Sequence, residues 1–198
     1  MIKPASLQDE FFVVLTLQGQ VNKIARRLQK LIADHYDLFA DTRHPQLHIT
    51  IDRIKRSRAD FAWKEITNIA KNSLPVKIRI NELDCMKMTD NKNFLILDVK
   101  KTDSLLRFSN SIHKVLSSKG ISTISNYNQW NFHITIVNND FVNNPIPEED
   151  FQDLCLFVEG TDTSSTSFAD KLEIWRPTLN PNLKIVESIK LPDGSEDD

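Results

Sequence analysis

Apolar and polar positions alternate in two short stretches that share the tetrapeptide His-Ile-Thr-Ile and lie 85 positions apart. In the first stretch apolar side chains flank His48 and Thr50, and in the second they flank His133 and Thr135. A period of two is typical of a strand with one buried face. Each stretch is therefore predicted to be a strand that buries aliphatic side chains and presents one imidazole and one hydroxyl on its other face.

The remainder of the chain alternates between helical and strand-like periods. Apolar residues three or four apart predict amphipathic helices, and apolar runs or strict alternation predict strands. Polar stretches, several with Pro or Gly, separate these segments and predict loops. Helices are predicted at 21–32, 60–70, 103–116 and 147–158, strands at 11–17, 47–51, 76–80, 94–99, 132–136, 172–175 and 183–191, and loops at 41–46, 52–60, 89–93, 122–131 and 160–167.

The order of these elements mixes helices with strands and includes hairpins, which indicates an α+β fold with mainly antiparallel sheets. A helix, a polar loop and a His-containing strand follow one another in each half, so the sequence predicts an internal duplication. Residues 1–191 are long enough for one domain with a substantial shared core. The acidic segment 192–198 is predicted to be a disordered tail.

Composition and charge narrow the possible ligands. Hydrophobic residues make up 40% of the chain and charged residues 26%, with a net charge of −2. That balance argues against tight, sequence-independent binding to long nucleic acid. Segment 23–58 carries nine Lys or Arg and four Asp. This local excess of positive charge suits an anionic ligand, although a solvated helix face gives the same pattern.

Cys85 and Cys155 lie far apart and lack the spacing of a metal site, so they are predicted to be reduced thiols of a cytosolic protein. The first ten residues have no apolar core of a signal peptide. The apolar run 11–15 is too short to span a bilayer. We therefore expect a soluble, cytoplasmic monomer with no membrane partner.

The two His-containing strands, some eighty residues apart in an α+β chain of this size, resemble the two-histidine (2H) phosphoesterase superfamily. The likeness covers about 11–191 and is strongest to the 2′-5′ RNA ligase-like, or LigT-like, branch. It implies two lobes related by a pseudo-two-fold axis, with helices outside and the two motifs facing across a groove. It also implies that His48 and His133 are catalytic and that Thr50 and Thr135 bind substrate.

Members of this superfamily act without metal on 2′-5′ linkages, 2′,3′-cyclic phosphates or related small nucleotides. The resemblance therefore predicts a short RNA or small nucleotide as substrate and no cofactor. Degradation of cyclic oligonucleotide signals is an alternative within this class. A non-catalytic module that binds RNA or nucleotides is an alternative outside it.

The residue types suit phosphodiester chemistry. In-line transfer needs one group to take a proton from the nucleophile and another to give a proton to the leaving oxygen, and two imidazoles can do both. Threonine hydroxyls donate hydrogen bonds to the non-bridging oxygens. A single His on a strand is more often a surface residue, so the prediction depends on the pair. Two His without carboxylate or thiolate neighbours make a poor metal site.

Two aromatic residues, Tyr127 and Trp130, precede the second motif and are candidates for stacking a nucleobase. Hydrophobic packing is the more common role of such residues. Arg176 ends a late strand and is either a phosphate contact or an ordinary surface residue. The other three histidines, His35, His44 and His113, are expected to be solvated.

Overall fold

A strand–helix–strand–helix–strand unit occurs twice along the chain. The structure, a computed structural model, describes residues 5–40, 44–87 and 93–194. The first unit comprises β1 (Glu10–Leu17), α1 (Gly19–His35), β2 (His48–Lys55), α2 (Ala59–Lys71) and β3 (Lys77–Lys87). The second comprises β4 (Asn93–Val99), α3 (Asp103–Ser118), β5 (His133–Asn138), α4 (Glu148–Val158) and β6 (Asp162–Trp175). A short α5 (Pro181–Lys184) and β7 (Ile185–Lys190) follow.

The seven strands form one antiparallel sheet in the order β1-β2-β5-β4-β3-β6-β7, with β6 also paired to β1. The third strand of each unit therefore pairs with the first strand of the other unit: β3 with β4, and β6 with β1. The long β6 pairs through its first half with β3 and through its second half with β1 and β7. The predicted α+β fold with mainly antiparallel pairing is confirmed.

Two lobes result, and each contains strands from both units. The first lobe holds β1, β2, β7 and the second half of β6, and the second lobe holds β3, β4, β5 and the first half of β6. Helices α2 and α3 pack on the first lobe, while α1 and α4 pack on the second. Apolar faces of these helices cover the sheet, and the aliphatic positions of both His-containing strands, Ile49, Ile51 and Ile134, are fully buried beneath them.

Both His-containing strands carry a β-bulge just after their threonine. In β2 the register moves from Val14↔Thr50 to Val13↔Asp52, so Ile51 is the extra residue. In β5 it moves from Ile96↔Thr135 to Leu95↔Val137, and the extra residue is Ile136. A bulge reverses which face later side chains point to.

Two predicted loops are wrong. Residues 52–55 continue β2, a 3₁₀ turn covers Arg56–Arg58, and α2 begins at Ala59. The charged residues there suggested solvent exposure, but Asp52 and Arg53 are buried by side-chain partners from elsewhere in the fold. The Ser- and Thr-rich segment predicted as a loop at 160–167 is largely the start of β6, because β3 supplies its backbone hydrogen bonds.

Three further predictions lie wholly or partly outside the described residues. These are the first part of the 41–46 loop, most of the turn at 89–93, and the end of the tail from residue 195 onward. Residues 191–194 are described and follow β7 without regular secondary structure.

Cys85 on β3 and Cys155 on α4 form a disulfide with a Cα–Cα distance of 5.7 Å. The prediction of two reduced thiols is therefore wrong. A separation of 70 positions does not predict this pairing, because it depends on the topology that places α4 against β3. The bond holds α4 to the second lobe.

Candidate active site

The two His-Ile-Thr-Ile segments meet at the centre of the sheet. β2 and β5 pair antiparallel through Ile49 and Ile134, whose side chains point into the core. The neighbouring side chains emerge on the other face, where the lobes enclose a groove of about 310 Å³. This groove is lined by all four residues singled out in the two motifs: His48, Thr50, His133 and Thr135.

The two imidazoles are held in the same way. His48 Nδ1 lies 3.1 Å from the carbonyl oxygen of Gln46, and His133 Nδ1 lies 3.2 Å from that of Asn131. A carbonyl oxygen accepts a hydrogen bond, so in each ring Nδ1 carries the proton. The neutral form of each ring then has its lone pair on Nε2. The carbonyl two residues upstream thus fixes both tautomer and ring orientation.

Burial favours the neutral form of both rings. It lowers the pKa of His48 from 6.5 to about 4, with Lys184 and His133 adding smaller electrostatic contributions in the same direction. The hydrogen bond to Gln46 partly opposes this change. Burial also lowers the pKa of His133, against the opposing effect of its bond to Asn131. Both rings are therefore neutral near pH 7 and able to accept a proton.

Beside His48 lies a tryptophan that sequence reasoning missed. The ring centres of His48 and Trp175 are 4.5 Å apart, and the Nζ of Lys184 lies 4.4 Å from the Trp175 ring centre. The indole N–H donates to Glu173 at 2.6 Å. Trp175 and Lys184 line the groove together with His48. Neither belongs to a recognisable sequence motif, since Trp175 is the last residue of β6 and Lys184 lies in the β6–β7 connection.

The bulge in β2 brings an arginine into the groove. Without it, Arg53 would point to the same face as Ile49 and Ile51, but the extra residue turns it toward the side of Thr50. Its Nη1 lies 3.6 Å from Glu10, and its guanidinium lies 5.6 Å from the Trp130 ring centre. Trp130 itself lines the groove and donates its indole N–H to the carbonyl of Thr50 at 3.0 Å.

Tyr127 occupies a different position from Trp130. Its ring stacks on His113 at 3.8 Å, outside the residues that line the groove, and its hydroxyl donates to the carbonyl of Ile51 at 2.8 Å. Ile51 is the extra residue of the β2 bulge. The β5 bulge has a similar donor, since Gln29 Nε2 lies 3.4 Å from the Ile136 carbonyl. Side chains thus bond to the carbonyls of both bulge residues.

The expectation that His113 is solvated is wrong. Its Nδ1 lies 2.8 Å from Asp52, whose side chain is fully buried and also accepts from the hydroxyl of Ser122 at 2.7 Å. This polar cluster joins α3 and the loop before β5 to the back of β2. It therefore supports the strand that carries His48 and Thr50.

The rest of the groove is largely apolar. Aromatic side chains from both lobes line it, with Leu7 and Leu179 at its rim, both about half exposed. The aromatic residues other than the two tryptophans are Phe12, Phe39, Phe94 and Phe141. Arg176 also lines the groove and is exposed. The cavity thus combines a polar centre with flat apolar walls, a combination that suits a phosphate attached to planar bases.

Metal-binding clusters and membrane-spanning helices are two further features that would bear on function. No group of three or more His, Cys, Asp or Glu in ranges 5–40, 44–87 and 93–194 is arranged to hold a metal ion. In the same ranges no helix has the length and apolar character needed to cross a bilayer.

Comparison with known proteins identifies the fold and the family. The family model of the AKAP7 2′5′ RNA ligase-like domain matches residues 10–171. No curated protein sequence matches the chain. Among solved structures, TT0787 of Thermus thermophilus is similar over 93% of this chain and 98% of its own, with a TM-score of 0.62 and 14% identity.

A structure described as a phosphoesterase covers 93% of this chain and 99% of its own, with a TM-score of 0.55 and 12% identity. Escherichia coli LigT, solved in complex with ATP, has the same coverage, with a TM-score of 0.50 and 11% identity. These likenesses confirm the fold that the family resemblance implied. With most of its length matched by the family model, the chain belongs to the AKAP7 2′5′ RNA ligase-like domain family, within the two-histidine phosphoesterase superfamily.

Proposed function

We propose that the protein is a metal-independent phosphodiesterase acting on short RNA or small nucleotides. The substrate class is 2′-5′-linked oligonucleotides, which it cleaves or cyclises, or 2′,3′-cyclic phosphates, which it hydrolyses. The observation that carries the proposal is the matched orientation of His48 and His133 on one groove, each with Nδ1 bonded to a backbone carbonyl. Membership of the phosphoesterase superfamily supports it.

In the proposed reaction, Nε2 of one imidazole takes the proton from the attacking oxygen. That oxygen is a ribose hydroxyl in cleavage to a cyclic phosphate, and water in hydrolysis of a cyclic phosphate. The new P–O bond forms as the bond to the leaving oxygen breaks, and the second imidazole, protonated, gives its proton to that oxygen. Thr50 and Thr135 donate to the non-bridging oxygens, where negative charge increases in the transition state.

Burial lowers the pKa of both rings, so either imidazole is neutral near pH 7 and can serve as the base while the other serves as the acid. A bound phosphate raises the pKa of both rings, since its negative charge stabilises an imidazolium. The protonated acid therefore becomes more populated once substrate is present. This dependence links substrate binding to the protonation state that the chemistry needs.

The walls of the groove support a nucleotide rather than a simple phosphate ester as substrate. Trp130 presents an indole anchored by its bond to Thr50 and is the best candidate for stacking a base. Tyr127 is not a candidate, because its ring is stacked on His113. E. coli LigT has been solved with ATP bound, which supports nucleotide recognition by this fold.

The test is turnover of a panel of 2′-5′ and 3′-5′ dinucleotides, cyclic oligonucleotides and 2′,3′-cyclic mononucleotides, with and without EDTA. His48→Ala and His133→Ala should each lower kcat by about 10³-fold or more, since each removes a proton-transfer group. His35→Ala, at the exposed end of α1, is the matched control and should retain full activity. Full activity in either groove variant, or loss of activity with EDTA, contradicts the proposal. Tight nucleotide binding without turnover of any substrate would instead indicate a binding module.

A further inference from the structure

Lys184 stands at the edge of the groove as the last residue of α5. The connection from β6 to β7 is closed there by a backbone bond, in which the Arg176 amide donates to the Lys184 carbonyl at 2.8 Å. At the other end of α5, the Asn180 side chain accepts from the amide of Asn182 at 3.0 Å. These bonds fix the backbone from which the lysine side chain extends.

The ammonium group rests on a fixed aromatic platform. Nζ of Lys184 lies 4.4 Å from the centre of the Trp175 ring, within the range of a cation–π interaction. The Trp175 side chain is 1% exposed, and its N–H donates to Glu173, which is 2% exposed. Glu173 also accepts from the Ser188 hydroxyl at 2.7 Å. Two strands therefore hold the indole, and the indole holds the lysine beside His48.

Within the described ranges, Lys184 makes no ion pair with a carboxylate. The side chain is half-buried, and burial lowers its pKa. A half-buried ammonium without a counter-ion is unfavourable, and an anion in the groove would offset that cost. In the groove Lys184 contacts the Trp175 indole and acts electrostatically on the His48 ring, and neither group is an anion.

We propose that Lys184 is a further phosphate-binding residue of the active site, and that its ammonium binds a non-bridging oxygen of the phosphate held between His48 and His133. This inference rests on the proposed function, since it takes the scissile phosphate as the ligand. Charge on the non-bridging oxygens increases during transfer, so the interaction strengthens toward the transition state. Lys184 and the two threonines then share the stabilisation of that charge.

The same lysine has a second effect, on His48. The charged and titratable groups that face this ring are Lys184 from α5 and His133 from β5, and both lower its pKa. A cation at this position keeps His48 neutral and able to accept a proton. Lys184 therefore acts on the substrate directly and on the protonation of His48 through its charge.

The test compares three variants: Lys184→Met, which removes the charge, Lys184→Arg, which keeps it, and Lys190→Met, an exposed control on β7. Inorganic phosphate binding is measured by calorimetry, the titration of the His48 ring by NMR, and kcat/KM on the best panel substrate. For Lys184→Met we expect phosphate binding and kcat/KM to weaken by about 10- to 100-fold, the size of a charge-assisted hydrogen bond. The pKa of His48 should rise.

Lys184→Arg should retain most of the phosphate affinity, and Lys190→Met should match the unmodified protein in all three measurements. If Lys184→Met binds phosphate within twofold of the unmodified protein and His48 titrates unchanged, the inference is overturned. Phosphate binding and the titration need no turnover. If no panel substrate is turned over but Lys184→Met still weakens phosphate binding, the proposed function fails while the assignment of Lys184 stands.

Discussion

Tyr127→Phe tests the idea that a side chain supports the bulge beneath the candidate active site. The change removes one hydroxyl and leaves the ring, which is stacked on His113 with an interplanar angle of 6°. The change removes the 2.8 Å donation to the carbonyl of Ile51, a residue with no exposed surface, and a hydrogen bond between the phenol and the Ser109 side chain. Burial raises the pKa of the Tyr127 phenol, so the hydroxyl is a neutral donor at any working pH.

Removing a donor from a buried carbonyl costs about 1–3 kcal/mol, because the carbonyl loses its partner without regaining water. For a chain of 198 residues, that loss corresponds to a decrease in Tm of about 2–12 °C. The bulge sets the direction of Arg53, so kcat/KM should fall as well, by up to about tenfold, as the arginine loses its position in the groove.

The assay is equilibrium unfolding in urea, followed by kinetics on the best panel substrate. Tyr36→Phe is the matched control, since Tyr36 is the other tyrosine and closes α1 away from β2. The control should change the free energy of unfolding by less than about 0.5 kcal/mol. If Tyr127→Phe is as stable as the control and fully active, the hydroxyl does not support the bulge and the reasoning is refuted.

Three further predictions concern pH and the disulfide. The proposed catalysis needs one imidazole neutral and one protonated, and the pKa values of both rings in the free enzyme lie below 6.5. The protonated form therefore becomes scarcer above pH 6.5, and kcat/KM should fall about tenfold per pH unit. A rise in kcat/KM between about pH 6.5 and 8 would contradict this. Between pH 6.5 and 4 the unfolded chain takes up protons that folded His48 and His133 do not, so urea unfolding should show stability decreasing as pH falls. His48 alone should account for up to about 3 kcal/mol of that decrease, which should therefore be weaker in His48→Gln. Reduction of Cys85–Cys155, whose positions are 70 apart, should lower the free energy of unfolding by about 4 kcal/mol, and Cys155→Ser should make the protein insensitive to reductant in the same assay.

The sequence predicted the parts of this fold that depend on local periodicity. The two motif strands, the amphipathic helices and the β3–β4 hairpin follow from spacing alone, and the repeated His-Ile-Thr-Ile indicated that the halves correspond. The bulges at Ile51 and Ile136 were not predictable, because they depend on which strand lies alongside. Asp52 was misread for the same reason, since its hydrogen-bond partners His113 and Ser122 come from distant segments.

The candidate site was predictable where chemistry and motif coincide, as at His48 and His133. It was not predictable where a residue reaches the groove through topology. Trp175 and Lys184 lie in segments whose residue spacing is not distinctive. They line the groove because β6 pairs with β1, which places Trp175 there, and Lys184 packs on Trp175. Tyr127 and Trp130, close in sequence, separate because the 3₁₀ turn at Tyr127–Gln129 directs their side chains to different sides of β2.

The exchange of third strands between the two units makes each unit dependent on the other. A fragment ending at Lys87 would contain β1, α1, β2, α2 and β3. Both strands that pair with β3, which are β4 and β6, would be missing, and so would the second partner of β1, which is β6. Neither half-chain closes its own core, so separately expressed halves should recover structure by complementation when mixed. By the same reasoning, an ancestor with a single unit would have needed two identical subunits, each contributing a strand and one histidine to a shared groove.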